Sequence, residues 1–411
     1  MKTLQHLLEC IGCKSRYSSS EVIYICPKCN DLLEIRYDYT QMKEKLSGSD
    51  LKEKPISVWK YQELLPIEDL SKKVSLNEGG TGLHECRRLA DSLGLASLYV
   101  KNEGSNPTGS FKDRGMTIGV SRAVELGMKV AACASTGNTS ASLAAYAARA
   151  GLRCVVLVPS GKVATGKLSQ AIIHGADVLQ VKGNFDKALE MVFQLSQRHR
   201  SIYLLNSINP YRIEGQKTLS FEICDQLGRA PDVIVMPVGN AGNISAVWKG
   251  LEEFHSLGVI PTLPRLIGIQ AEGASPITTA FKQGSDEVKF LENPETIATA
   301  IRIGAPVSWK KALRAIRNSR GIAETVTDKE ILSAQTMLAR LEGLFVEPAS
   351  ASAIAGLKKV VEAGLVGKDE LIVCIATGHG LKDPDIVVEA FQKPVEVEAE
   401  LESLQKVIGV G

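Results

Sequence analysis

A single lysine stands in a polar, glycine-bearing stretch, residues 106–116 (NPTGSFKDRGM), which is too irregular for a core element. A lysine with its ordinary pKa of about 10.4 is almost fully protonated at neutral pH, so it becomes a nucleophile only when burial or nearby charge lowers that pKa. Lys112 is therefore either a nucleophile held in a cleft or a surface lysine that pairs with Asp113 or Glu103.

Three more polar loops follow short apolar runs that predict buried strands. STGNTSAS (residues 135–142) follows KVAACA, GNAGN (residues 239–243) follows DVIVMPV, and TGHGLKD (residues 377–383) follows LIVCIA. Each alone could be a turn with a helix N-cap, which Ser, Thr, Asn and Gly favour. Ligands of open α/β sheets collect where strand ends meet helix N-termini, so the three loops together indicate one polar cleft.

A lysine that forms a Schiff base with pyridoxal phosphate needs three kinds of partner, and these loops offer all of them. The cofactor requires an anchor for its phosphate, a polar contact for its ring oxygen and another for its ring nitrogen. The glycines of GNAGN let backbone N–H groups approach an anion, and the helix that follows favours negative charge there. The loops are therefore compatible with a pyridoxal-phosphate site around Lys112.

In their order along the chain, NPTGSFKDRG, STGNTSAS, GNAGN and ATGHGLKD resemble the pyridoxal-phosphate enzymes of the tryptophan synthase β-subunit type (fold type II), and among these the threonine synthases. The resemblance covers about residues 56–390. It implies that Lys112 forms the Schiff base and shuttles protons, that Asn138 contacts the ring oxygen, and that Thr377 faces the ring nitrogen. It also implies that five loop residues hold the cofactor's phosphate: Gly239, Asn240, Ala241, Gly242 and Asn243.

A second segment, LLNSINPYRIEGQKTLSFE from Leu204, is similar to the part of threonine synthases that receives the substrate's phosphate. The matching positions are Asn206, Ser207 and Arg212, and the resemblance places Thr136 and Thr139 near the substrate's carboxylate or phosphate. The implied reaction converts O-phospho-L-homoserine and water into L-threonine and phosphate.

Arg212 also makes physical sense as a phosphate ligand. A planar guanidinium binds a phosphate dianion through two parallel hydrogen bonds. The alternative is a helix-surface arginine that pairs with Glu214 or Glu222.

Four of the nine cysteines form the pattern C-x2-C-x12-C-x2-C near the N-terminus. Two close thiolate pairs are what tetrahedral zinc needs, and a site with four protein ligands is structural because it leaves no open position. We therefore expect a zinc-ribbon-like segment at residues 1–39, with VIYIC and LLEIRY as its strands and these possible ligands: Cys10, Cys13, Cys26 and Cys29. The remaining cysteines are expected to be buried small hydrophobic residues.

Apolar runs alternate with helical stretches from residue 96 onward, which predicts an α/β fold with mostly parallel strands. The resemblance implies two open, mostly parallel α/β domains with the cofactor between them: a large cofactor-binding domain at 56–104 and 206–390, and a smaller mobile domain at 105–205. Outside them we expect the N-terminal extension, a linker at 40–55 and a tail at 391–411.

Composition excludes several classes of partner. A net charge of +2 and 5% aromatic residues indicate neither a phosphate-neutralising surface nor a base-stacking platform, so no nucleic acid is expected. No apolar run reaches the roughly 20 residues of a membrane helix, and the N-terminus is too polar for a signal peptide. We expect a cytoplasmic enzyme with a small-molecule substrate, and the resemblance implies a homodimer.

Competing functions remain open on the sequence alone. Cysteate synthase, which uses O-phosphoserine and sulfite, and the serine/threonine dehydratases share the fold and would keep Lys112. GKVATGK (residues 161–167) matches a Walker loop, but Leu168 stands where a magnesium-binding Ser or Thr is required. A zinc-ribbon interaction module is a further alternative, although residues 1–40 hold five basic and five acidic residues and so no footprint for nucleic acid.

Overall fold

The computed structural model of the protein describes residues 6–47, 53–160, 165–183, 185–386 and 395–409. The strands are β1 His6–Cys10, β2 Arg16–Ser18, β3 Leu33–Tyr37, β4 Leu83–Glu85, β5 Ser97–Asn102, β6 Val130–Ala134, β7 Arg153–Pro159, β8 Asp177–Val181, β9 Ile202–Leu204, β10 Val233–Pro237, β11 Arg265–Ala271, β12 Ile322–Val326 and β13 Leu371–Ala376. The α-helices are α1 Tyr39–Ser47, α2 Arg87–Leu93, α3 Lys112–Glu125, α4 Asn138–Ala150, α5 Thr165–Ile173, α6 Phe185–Arg198, α7 Pro210–Gln216, α8 Thr218–Leu227, α9 Gly242–Ser256, α10 Pro276–Lys282, α11 Trp309–Asn318, α12 Asp328–Glu342, α13 Pro348–Glu362 and α14 Leu401–Ile408. Short 3-10 helices are Val58–Leu64, Leu70–Lys72, Glu103–Ser105, Glu272–Ala274, Thr299–Ile301 and Gly380–Lys382.

Two mostly parallel sheets form the body of the protein. The larger has the strand order β12-β11-β10-β13-β5-β4, in which only β4 runs antiparallel to its neighbour. The smaller has the order β8-β7-β6-β9 and is parallel throughout. The predicted α/β class is confirmed. Because β10 and β13 are neighbours, the loops GNAGN and TGHGLKD begin at adjacent strand ends.

Apolar side chains on both faces of the larger sheet explain its continuous hydrophobic strands. Every residue of β10 is buried, with helices α8 and α9 packed on one side and α13 on the other. A separate apolar cluster surrounds β6, β7 and β9. The strands of the smaller sheet all fall within residues 105–205, and the motion expected for that segment stays a prediction.

Helices α3 and α7 lie unusually close together, and a glycine makes this possible. A Cβ atom on Gly215 of α7 would lie only 1.7 Å from the backbone oxygen of Arg114 in α3, so no larger residue fits there. This contact sets the first turn of α3, which begins at Lys112, beside the helix that carries Arg212.

A buried ion network fixes the start of α3 to β5 and α8. Arg114 Nε lies 2.6 Å from Glu103 Oε2, and Arg114 Nη1 lies 2.7 Å from Glu222 Oε1. Lys101 Nζ is 2.9 Å from Glu222 Oε2, and all four side chains are fully buried. Such a network is costly to disrupt because removing one partner leaves an uncompensated buried charge.

The N-terminal segment is a three-stranded antiparallel sheet in the order β2-β1-β3. The predicted strand LLEIRY is confirmed as β3, whereas VIYIC is wrong, since only Ile25 makes an isolated bridge, to Leu32. The side chains explain the difference: Tyr24 turns into the body, where its hydroxyl accepts from Leu204 N at 2.8 Å, and Cys26 turns toward the other thiols.

The predicted linker and tail are described only in part. Helix α1 occupies the first part of residues 40–55, and residues 48–52 lie outside the described residues. In the tail, α14 is described, while residues 391–394, 410 and 411 are not. Residues 161–164 of the Walker-like GKVATGK also lie outside the described residues. Among the described helices, none has the length and apolar character needed to span a bilayer.

Candidate active site

The loop that carries Lys112 is docked against the segment after β13. Ser110 and Gly378 form an isolated antiparallel bridge, and Phe111 N donates to Thr377 O at 3.0 Å. The Asp113 carboxylate holds the loop from the other side, because it accepts from Thr108 N at 2.7 Å and from Ser142 Oγ at 2.5 Å. Lys112 is thus fixed beside the end of β13.

Lys112 is poised to act as a nucleophile. Burial, reinforced by the positive charge of Arg212 and opposed by Glu347, lowers the pKa of Lys112 to about 7. Its Nζ lies 4.1 Å from the centroid of the Phe111 ring. Asp113 and Glu103, the acidic partners expected of a surface lysine, bond to other side chains instead. The alternative of a surface ion pair is therefore not supported.

Asn138 and Thr377 approach the same buried carboxylate from two elements. Asn138, the first residue of α4, donates from Nδ2 to Glu347 Oε2 at 3.0 Å. Thr377 Oγ1 donates to Glu347 Oε1 at 3.3 Å and lies 3.0 Å from Ser350 Oγ. The structure therefore brings Lys112, Asn138 and Thr377 together around Glu347.

The loop GNAGN leads into α9 with an unusual backbone conformation. Ala241 has a φ of 64°, a left-handed conformation that turns consecutive N–H groups toward one side at the N-terminus of a helix. Asn243 is buried, yet neither its Nδ2 nor its Oδ1 has a hydrogen-bond partner among the described residues. Asn240 Oδ1 accepts from Val307 N at 3.3 Å, which holds the loop in place.

Arg212 is a buried cation without an anion. It is only 3% exposed, its Nε has no hydrogen-bond partner, and it forms no ion pair within the described part of the chain. The carboxylates expected of a surface arginine are engaged elsewhere: Glu214 Oε2 with Lys217 Nζ at 2.7 Å, and Glu222 with Arg114. Burial lowers the pKa of Arg212 to about 10, so it stays charged at neutral pH.

The other predicted substrate ligands differ in their surroundings. The side-chain amide of Asn206 forms two hydrogen bonds with the last residue of β6: Oδ1 accepts from Ala134 N at 2.9 Å, and Nδ2 donates to Ala134 O at 2.8 Å. Thr136, Thr139 and Ser207 are half-buried, and no side-chain hydrogen bond is formed by them within the described residues. Asn206 thus fixes the strand end from which the STGN loop starts.

The chain is similar over most of its length to proteins of known function. The family described as "Pyridoxal-phosphate dependent enzyme" matches residues 74–378. A threonine synthase of Methanocaldococcus jannaschii is 59% identical over 403 residues, which cover 98% of this chain and 99% of that protein. A threonine synthase of Methanosarcina acetivorans is 57% identical over 402 residues, 98% of each chain. The chain belongs to the threonine synthase family.

Solved structures agree on the fold of this family member. The processed form of threonine deaminase isoform 2 from Solanum lycopersicum has a TM-score of 0.62 and 24% identity, covering 75% of this chain and 87% of that chain. Maize serine racemase has a TM-score of 0.63 and 21% identity. At such identities the similarity concerns the fold, which is that of the type II pyridoxal-phosphate enzymes.

The residues at the cleft fit the family's cofactor. The unpaired amide of Asn243 and the left-handed turn at Ala241 offer hydrogen-bond donors at a helix N-terminus, which suits a phosphate. Lys112, with its lowered pKa, supplies the amine that an aldehyde requires. Leaving the Asn243 amide buried and unsatisfied is costly, so a polar ligand at this position would relieve that cost.

The four predicted metal ligands also come together. The sulfur atoms of the ribbon cysteines all lie within 4.8 Å of one another. Cys10 and Cys29 are 3.4 Å apart, and Cys13 and Cys26 are 3.5 Å apart. The other cysteines are buried, as predicted.

Sequence reasoning did not find Glu347. A glutamate directly before the proline of α13 has the pattern of a helix start, so nothing in its neighbours indicates a site. In the sequence, Glu347 follows the short apolar run at residues 344–346 and precedes PASAS. This pattern alone is too weak to assign a chemical role.

A pH profile tests the state of Lys112. In the cofactor-free full-length protein, acetylation of Lys112 by acetic anhydride should reach half its maximal rate near pH 7, because only the neutral amine reacts. Mass spectrometry of the peptide measures the rate. The same lysine in the urea-unfolded chain is the control and should titrate near its ordinary value of about 10.4; identical profiles in the two states would contradict the burial of Lys112.

Proposed function

We propose that the protein converts O-phospho-L-homoserine and water into L-threonine and phosphate. Arg212 is the observation that carries the proposal: a buried guanidinium with no anionic partner among the described residues, on the helix packed against the first turn of the Lys112 helix. An enzyme that binds only neutral side chains has no use for such a group, whereas a phosphate dianion compensates its charge.

In the proposed site, Lys112 holds the cofactor covalently through Nζ. Asn138 would contact the ring oxygen and Thr377 the ring nitrogen, where a hydroxyl in place of an acid would leave the ring largely unprotonated. The cofactor's phosphate is bound by these residues: Gly239, Asn240, Ala241, Gly242 and Asn243. When bound, pyridoxal phosphate supplies an electron sink for negative charge that develops on the substrate's carbon atoms.

The substrate is oriented by groups on both sides of the cleft. Thr136 and Thr139, at the start of α4, lie near its carboxylate or phosphate. Asn206, Ser207 and Arg212 take the phosphate, with Arg212 contributing two parallel hydrogen bonds. Because Asn206 already bonds to Ala134, its side chain holds the loop as well as facing the substrate.

Lys112 is also the proposed proton carrier. With the substrate bound, the free Lys112 Nζ would remove the proton from the α-carbon, release it, and then remove one from the β-carbon. Arg212 would stabilise the phosphate that leaves from the γ-carbon. One proton would return to the γ-carbon, which becomes the methyl group. The hydroxyl group of water would add at the β-carbon, with the remaining proton of the water passing to the phosphate, and Lys112 would return the second proton to the α-carbon to complete threonine. A pKa of about 7 lets one amine accept and donate protons at neutral pH.

We further propose that residues 105–205 form a smaller domain that closes over the substrate, against a large domain formed by residues 56–104 and 206–390. Each of these segments supplies one of the two mostly parallel sheets, which supports a division into two domains. Closure would exclude water from the reacting carbon atoms until it is needed. A homodimer in the cytoplasm completes the proposal, and sedimentation of the purified protein tests the dimer.

One comparison of substrates tests the function. The protein should release phosphate from O-phosphohomoserine with stoichiometric formation of threonine. It should release little ammonia from serine or threonine, and it should not turn over O-phosphoserine in a sulfite-dependent way. Efficient sulfite-dependent turnover would instead identify a cysteate synthase, and rapid ammonia release would identify a dehydratase.

We also propose that the four ribbon cysteines hold one structural zinc ion. Four sulfur atoms within 4.8 Å of one another meet the ligand requirement of a closed tetrahedral site. The burial of Cys10 and Cys26 agrees with a structural role.

Removing a ligand should remove the metal. Replacing Cys13 with serine should abolish the bound zinc and lower the midpoint of thermal unfolding, because a structural metal site contributes its binding energy to folding. Metal analysis and calorimetry of freshly reduced protein measure the two effects. The matched control is Cys154→Ala in β7, which should keep about one zinc per chain; a wild-type protein without metal would contradict the site.

A further inference from the structure

Glu347 is a buried acid at the centre of the proposed site. Neither the sequence nor the proposed reaction assigns a function to this residue. It precedes α13, is 2% exposed, and its N–H donates to Gly378 O at 3.0 Å. A Cβ atom on Gly378 would lie 2.6 Å from the Glu347 carboxylate carbon, so the carboxylate rests directly on the backbone that follows Thr377. The Glu347 carboxylate is therefore held in place by close packing against the main chain.

The contacts of this carboxylate join the two sides of the cleft. One oxygen accepts from Asn138 at 3.0 Å, and the other accepts from Thr377 at 3.3 Å. Under the proposed function these two residues face the ring oxygen and the ring nitrogen of the cofactor. The Asn138 Nδ2 carries two hydrogens and donates to the Glu347 carboxylate, at 3.0 Å from Oε2 and 3.4 Å from Oε1. One hydrogen is enough for this contact, so the second would be available to the ring oxygen.

The charges around Glu347 give it a second effect. It faces Lys112 from α3, and Lys382 and Asp383 from the segment after β13. Burial raises the pKa of Glu347, with a further contribution from Asp383, while Lys382 opposes the rise. Its negative charge in turn favours the protonated form of Lys112. A carboxylate here therefore affects both the orientation of the donors and the proton at Nζ.

We propose that Glu347 is a positioning residue of the active site, whose carboxylate orients Asn138 and Thr377 toward the cofactor ring and helps to retain the proton at Lys112. This inference rests on the proposed site of the cofactor but not on the identity of the substrate. It predicts a property of the resting holoenzyme, which can be measured without turnover.

The test is a pH titration of the visible absorbance of the holoenzyme without substrate. In Glu347→Gln the midpoint should fall by about one pH unit or more, because removing a negative charge that favours the protonated form lowers the pKa. The cofactor should also dissociate more readily, measured by equilibrium dialysis. Glu347→Asp keeps the charge but retracts it by one methylene, and should give a smaller shift.

One control variant and one control measurement show whether a shift of the midpoint comes from Glu347 itself. Asp383→Asn removes a neighbouring buried charge whose carboxylate accepts from Thr299 Oγ1 at 2.9 Å, and should shift the midpoint by less than half as much. If Glu347→Gln and Glu347→Asp both titrate and bind cofactor as the wild type does, the inference is overturned while the proposed function stands. A wild-type protein without a cofactor band would overturn both. Calorimetry of each variant shows that a shift does not come from unfolding.

Discussion

Replacing Lys112 with alanine is expected to abolish the reducible link between protein and cofactor and to lower turnover by a factor of about 10⁴ or more. The reason is that one amine has both tasks: it holds the cofactor and carries the protons of the α- and β-carbons. Borohydride reduction followed by peptide mapping measures the link, and phosphate release measures turnover. In the wild type, the reduced cofactor should be found on the peptide that contains Lys112.

Lys311 provides a matched control for this experiment. It is also buried, and burial lowers its pKa to about 8, but its Nζ donates to Leu33 O of the ribbon at 2.9 Å. Lys311→Met should therefore keep the reducible cofactor and the turnover while losing some thermal stability. If the Lys112→Ala protein stays yellow and active, or if the label is found on Lys311, the assignment of Lys112 is wrong.

The strands and their loops could be predicted because their physical signals are local. A parallel strand buried on both faces needs a continuous apolar run, and β10 with its five buried residues has one. The polar loop that follows each such strand is equally visible, so Lys112, Asn138 and Thr377 could be named without coordinates. Their meeting around one carboxylate depends on the strand order, which no local pattern specifies.

Features that depend on distant partners could not be predicted in this way. VIYIC has the composition of a strand, but the Tyr24 hydroxyl accepts a hydrogen bond from Leu204 N in the smaller sheet, a partner that no local pattern indicates. The close contact of α3 and α7 at Gly215 was equally hidden, because a glycine inside a helix gives no indication of which backbone approaches it. Glu347 is a third case, because its contacts with Asn138, Thr377 and Gly378 join residues that are distant in the sequence or carry no local signal.

Two buried arginines differ in whether their charge is compensated within the fold. Arg114 is bracketed by Glu103 and Glu222, and its charge is compensated within the fold. Arg212 lies one helix away with no compensating carboxylate among the described residues. An uncompensated buried charge destabilises a protein, so its presence indicates a site that is completed only by a ligand.

Replacing Arg212 with methionine is therefore expected to have opposite effects on binding and on stability. The KM for the phosphorylated substrate should rise by about 10²- to 10⁴-fold, the value of two charge-assisted hydrogen bonds. The midpoint of thermal unfolding without ligand should rise by about 1–3 °C, because an uncompensated charge leaves the interior. Steady-state kinetics and calorimetry measure the two quantities.

Arg114→Met is the control, since it removes a guanidinium of equal burial whose charge is compensated. It should destabilise the protein by about 3–5 kcal/mol, because Glu103 and Glu222 are left buried without their partner. The two variants should thus move the unfolding midpoint in opposite directions. If Arg212→Met destabilises the protein as Arg114→Met does, and added inorganic phosphate stabilises wild type and Arg212→Met equally, then Arg212 is a structural residue and the phosphate site lies elsewhere.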